Sequence, residues 1–175
     1  NRQLIALFIC LISLKYCFEK NLRKFLCCII VAILFHSTSI IFILAYIITS
    51  RKIGNKYIVY GVLVALLIGI SGIINKIPYL DLLVYLDAKS SEKLSFYSNN
   101  DISNYSYLGT VKRLMILVPC LFLRLKIKNE KFDTFVKLYV MGCLIYFVFN
   151  GSMLQLMAGR GALYFSIFEM LVIPI

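Results

Sequence analysis

His36 is the only histidine of the chain, and Ser37-Thr38-Ser39 follow it directly inside an otherwise apolar run from Ala32 to Phe42. An imidazole changes protonation near neutral pH, which suits a general base that takes the proton of a sugar hydroxyl. The same side chain, neutral and donating to a backbone carbonyl, would serve equally well to support a break in a helix. Arg160 sits between Gly159 and Gly161, where the absent side chains let a phosphate or a sugar approach the backbone. Its planar guanidinium offers paired donors to a phosphate and keeps its charge at every relevant pH. The competing account is a loop arginine anchored to lipid headgroups. Glu169, further along, offers an acid, a base or a partner for an arginine, while Lys15 lies one turn from a basic cluster and can snorkel to it.

Other catalytic templates fail. The sequence has no Gly-rich phosphate loop, no H-E-x-x-H, no G-x-S-x-G and no D-x-D. Cys10, Cys17, Cys27, Cys28, Cys120 and Cys143 form no C-x-x-C and have no partnering histidines, so they read as small buried hydrophobes. No metal and no cofactor is expected; phosphate chemistry in this chain would lean on arginine.

The elements that position these residues follow from composition. The chain is 61% hydrophobic, its mean hydropathy is +0.88, and several apolar runs approach the length that crosses about 30 Å of hydrocarbon as a helix. In lipid each backbone N–H and C=O needs a partner within its own segment, and no barrel-like alternation is present, so the expected class is all-α and multi-pass. Spans are expected near 3–18, 25–49, 57–75, 110–125, 134–157 and 161–175, in one membrane domain. The polar stretch 76–109 forms an outer loop, with a short interfacial helix in its first part, and a short link falls around Gly159-Arg160-Gly161. The chain begins without Met and stops inside an apolar run, so it reads as an internal fragment.

The net charge of +11 lies in short clusters between apolar runs, where it orients the chain across the membrane; nucleic acid is not an expected partner. Residues 19–24 hold three basic side chains, 50–56 three, and 124–131 four. If 25–49 crosses once, the first two clusters face opposite sides. If it enters and returns, all three are cytoplasmic, and Arg2, Arg160 and the long loop face out. Charge counting favours re-entry, with arms of about 12 residues, or roughly 18 Å, turning at His36-Ser37-Thr38-Ser39. A single kinked span remains the alternative.

Over most of its length, and most visibly in residues 1–48, the chain resembles the EpsG family of exopolysaccharide polymerisation proteins, related in role to Wzy polymerases. The likeness rests on Arg2-Gln3 with Ala6, then Ala32, Phe35 and His36 with the following hydroxyls, and, near the other end, Arg160, Tyr164 and Phe165. The triplet Ser37-Thr38-Ser39 stands where Ser-Ala is more usual. The resemblance implies a GT-C-like glycosyltransferase in the bacterial cytoplasmic membrane that polymerises undecaprenyl-diphosphate-linked oligosaccharide into exopolysaccharide or capsular polysaccharide. It implies His36 and Arg160 as catalytic residues, and Arg2, Arg160, Ser37, Ser39 and Tyr164 as substrate-binding ones. Membrane lipids, a flippase and a chain-length regulator are the implied partners. The rival readings are a flippase of lipid-linked oligosaccharide and a non-catalytic scaffold of the assembly complex.

Overall fold

Apolar runs without nearby water close their hydrogen bonds locally, and the helices stop where a polar or glycine residue supplies a substitute partner. The structure, a computed structural model, describes residues 2–76, 105–127, 129–152 and 155–172. Among these residues all regular structure is helical and no strand occurs, so the chain is all-α.

Helices α1 (Arg2–Phe18) and α2 (Leu22–Phe35) form the first antiparallel pair. Between them the Lys20 N–H donates to the Cys17 carbonyl (3.2 Å) and the Asn21 N–H to the Tyr16 carbonyl (2.9 Å), the Schellman pattern of a helix end. Its left-handed position, usually glycine, is held by Lys20 at φ 54°, a conformation that costs a side-chain-bearing residue about 1–2 kcal/mol. Asn21 then opens α2 by accepting the Lys24 N–H at 3.2 Å. Ala6, Cys10, Ser13 and Cys17 of α1 face Phe25, Ile29 and Ala32 of α2 at helical spacing, with small residues letting the backbones close.

After α2 come a 3-10 segment, Ser37–Phe42, and α3 (Ile43–Ser50). Helix α4 (Asn55–Ser71) continues into a second 3-10 segment, Ile73–Lys76. The chain then runs through α5 (Tyr107–Lys126), α6 (Glu130–Phe149), α7 (Gln155–Ser166) and α8 (Phe168–Val172). Helix α6 packs against α3, α4, α5, α7 and α8. Among the described residues it is the one helix long and apolar enough to cross a membrane. Helix α5 has the same 20 residues but carries Lys112, Arg113, Arg124 and Lys126. Large apolar side chains such as Phe8, Ile12, Leu34, Leu67 and Phe122 face outward, a surface that suits lipid better than water.

Polar contacts tie the two ends. At one, Arg124 Nε meets Asp133 at 2.5 Å and Lys137 Nζ meets the same carboxylate at 2.9 Å. Arg124 also donates to the Asn55 side chain and the Ile53 carbonyl, and Lys137 to the Arg51 carbonyl at 3.0 Å. At the other end Asn150 accepts the Ser106 N–H (3.1 Å) and donates to the Ser106 carbonyl (3.1 Å) and the Thr110 hydroxyl (2.9 Å).

Two sequence expectations are corrected here. The span expected over 134–157 ends at Phe149, and the link expected at 159–161 lies inside α7. The reason is local: Asn150 is committed to Ser106 and Thr110, and Gly151 turns the chain at φ 80° while its N–H donates to Gln155 Oε1 at 3.1 Å. Glycines at 159 and 161 cost a helix only about 1 kcal/mol each, so they do not end it. The run 25–49 divides into α2, the 3-10 segment and α3, and the run 57–75 into α4 and its 3-10 extension. The expected interfacial helix and most of the 76–109 loop lie outside the described residues.

Candidate functional site

Helix α2 stops at Phe35 because His36 is extended, at φ −156° and ψ 114°. The backbone at this break is provided for: the His36 N–H donates to the Ala32 carbonyl, and its own carbonyl accepts the Ser39 N–H, both at 3.0 Å. The chain then comes back along the path it took. Tyr46 of α3 donates its hydroxyl to the Lys20 carbonyl at 3.1 Å, and its ring lies 5.3 Å from that of Phe25 at the start of α2. Residues 22–50 are therefore a hairpin with His36 at its tip and both feet at the Lys20 end.

Helix α7 packs between this tip and α6. Phe165 stacks on Phe42 at 5.4 Å between centroids, and a Cβ at Gly142 of α6 would fall 2.9 Å from the Phe165 Cβ, so glycine permits the close approach there. One residue before Phe165, the buried Tyr164 turns its hydroxyl toward Thr38, without hydrogen-bond geometry. A Cβ at Gly161 would lie 3.2 Å from Ile41 Cδ1, which seats α7 on the 3-10 segment.

The side chains at this junction differ from the rest of the interior. Buried Ser13, Thr110, Thr134, Lys137, Asn150 and Ser152 all have hydrogen-bond partners. Four enclosed polar atoms have none among the described residues: His36 Nε2, Thr38 Oγ1, Ser39 Oγ and Tyr164 Oη. All four belong to the hairpin tip or to the helix lying on it. An unmet buried polar group costs about 1–3 kcal/mol, so this cluster favours whatever supplies it with hydrogen-bond partners. A ligand rich in hydroxyls would recover that energy.

The sequence-predicted residues divide accordingly. His36, Ser39 and Tyr164 come together, and Ser37 is exposed beside them. Arg160 is exposed on α7, four residues and one turn before Tyr164, so it shares that side of the helix. Arg2 is exposed at the start of α1, the helix that pairs with α2 and also meets the 3-10 segment. It and Arg160 lie on the stretches of α1 and α7 that point away from the Lys20 end. Neither arginine has an ion pair or hydrogen bond among the described residues. Glu169 is an ion-pair partner, but of Lys112, at 3.6 Å.

Sequence reasoning missed two features. Thr38 carries one of the four unmet atoms, and neither its type nor its spacing distinguishes it from Ser37 and Ser39. Arg113 places its guanidinium 3.5 Å from the ring centre of Tyr146 and donates to the Gly109 carbonyl at 3.2 Å; the available signal was a pair of adjacent cations inside an apolar helix. No cluster of His, Cys, Asp and Glu suited to a metal occurs among the described residues.

Comparison with curated proteins gives no match, and comparison with solved structures gives none either. The EpsG family model matches residues 1–175. The match spans the whole of this sequence, and the chain belongs to the EpsG family of membrane proteins linked to exopolysaccharide biosynthesis.

Proposed function

We propose that this chain is a polymerising glycosyltransferase, which joins undecaprenyl-diphosphate-linked oligosaccharide units at the outer face of the bacterial cytoplasmic membrane. The observation that carries this reading is the group of four buried polar atoms, on the hairpin tip and the helix lying on it, that have no hydrogen-bond partner among the described residues. A sugar presents donors and acceptors at comparable density, and family membership supports a polysaccharide substrate.

In this mechanism Nε2 of neutral His36 takes the proton of the acceptor hydroxyl as its oxygen attacks the anomeric carbon of the donor. The new C–O bond forms, the bond to the diphosphate oxygen breaks, and the electron pair leaves on the lipid diphosphate. Arg160 meets the charge developing on that leaving group, with Arg2 as a second cation, and the contact accelerates the step to the extent that it strengthens in the transition state. Thr38, Ser39 and Tyr164 hydrogen-bond the sugar, and Ser37 lies at the open edge. Direct displacement inverts the anomeric centre.

The reading includes a multi-pass topology with a re-entrant hairpin. Helix α2 has 14 residues, about 21 Å at 1.5 Å per residue, which falls short of the roughly 30 Å hydrocarbon layer. Basic residues at both feet favour the cytoplasmic side.

The test uses purified chain and a defined lipid-linked donor. Arg160→Ala is expected to abolish products longer than one repeat, with Arg160→Lys retaining part of the activity, and linkage analysis is expected to show inversion. Retention would reject direct displacement. Repeat units accumulating in the inner leaflet of cells carrying Arg160→Ala would favour a flippase.

A further inference from the structure

The end of the bundle away from Arg2 and Arg160 holds a cleft that the polymerase reading does not use. It encloses about 450 Å³ between the α1–α2 turn, the end of α3 and the start of α6, and Lys20, Arg51, Lys52 and Lys131 line it. These four cations come from three separate segments, and none has an ion pair among the described residues. Of the two acids lining the cleft, Asp133 is already shared by Arg124 and Lys137, which leaves Glu130. Lys137 is a built part of the wall. Its side chain is 5% exposed, and its amine gives one proton to Asp133 and one to the Arg51 carbonyl, so a third donor remains.

Orientation across a membrane needs basic charge on one side, at any position in the loops. It does not require that charge to converge on one concave site. Nor does it account for Lys20, which holds a left-handed backbone at the rim where glycine would sit without strain.

We propose that this cleft binds a phosphate ester, supplied either by an anionic lipid headgroup or by a soluble phosphate compound. Arg51 offers paired donors to two phosphate oxygens, and the lysines act as point charges around them. The ligand would tie the α1–α2 turn and the end of α3 to α6. These are the feet of the hairpin whose tip carries His36, so occupancy stabilises the hairpin.

The experiment measures thermal unfolding of the full chain in nanodiscs at fixed ionic strength, with pyrophosphate as the soluble probe and phosphatidylglycerol against phosphatidylcholine as the lipid probe. Lys20→Gly removes a cation while relieving the left-handed backbone, so without ligand it should melt no lower than the wild type. The wild type is expected to melt higher with one of the two probes. In Lys20→Gly and in Lys131→Gln the half-saturating concentration should rise by up to about fivefold, the upper factor for one exposed charge contact, or the difference between lipids should shrink. A pyrophosphate response in phosphatidylcholine assigns a soluble phosphate, and a phosphatidylglycerol response alone assigns the headgroup. No response to either, or an equal response in both variants and the wild type, overturns the site.

Discussion

Tyr164→Phe removes one oxygen from a fully buried side chain and leaves its shape unchanged. In most proteins deleting a buried hydroxyl destabilises, because a partner is left behind. Here the hydroxyl has no hydrogen-bond partner among the described residues, and the ring is 0% exposed. Deletion therefore removes an unmet desolvation cost of about 1–3 kcal/mol. For a chain of this length that raises the melting temperature by roughly 2–12 °C, at about 2–4 °C per kcal/mol. A thiol-reactive dye reads the transition, since Cys10 and Cys143 are 1% exposed and become reactive on unfolding. The same variant should make shorter polymer if Tyr164 holds the sugar as proposed. A lower melting temperature with polymer of normal length would refute the reasoning, since it would mean that the hydroxyl is satisfied within the fold and serves packing.

Three further outcomes follow from named contacts. Gly142→Ala forces a methyl group against Phe165 and pushes α7 off α6; overpacking of this kind costs about 1–3 kcal/mol, read as a lower melting temperature together with reduced polymerisation. Asp133→Asn leaves the largely buried side chains of Arg124 and Lys137 without their shared counter-charge, but the carboxylate itself is one-third exposed; the substitution should lower stability by about 1–3 kcal/mol and reduce the folded protein recovered in detergent. Cysteines introduced at Ser37, Gly54 and Arg160 should respond to impermeant label by side: Gly54→Cys from the cytoplasm, Arg160→Cys from outside, and Ser37→Cys from outside or not at all. Labelling of Gly54→Cys and Arg160→Cys from the same face would contradict the topology.

The break at His36 was legible because an imidazole and three hydroxyls in an apolar run are costly there unless the backbone opens. The all-helical class followed from hydrocarbon-length apolar runs without alternation. The end of α6 was not legible: Asn150-Gly151 is a short signal within apolar sequence, and its force comes from Ser106 and Thr110, forty residues away. Gly159-Arg160-Gly161 carries the stronger local turn signal, yet packing on Ile41 and the Gln155 contact to Gly151 keep it helical. The same limit hid the Arg124–Asp133 contact and the Lys112–Glu169 pair, whose partners meet only once α5, α6 and α8 are assembled. At the candidate site the residue types pointed to His36 and Arg160. That Tyr164 and Thr38 share an enclosed space depends on α7 lying across the hairpin, which no single segment encodes.

The most direct measurement is the length distribution of polysaccharide made by cells whose only copy of this chain carries His36→Ala, with protein level and melting temperature measured alongside. His36 is half-buried and its Nε2 has no hydrogen-bond partner among the described residues, so the variant should still fold, and the account predicts lipid-linked single repeats in place of polymer. Polymer of wild-type length from a folded His36→Ala chain would contradict it.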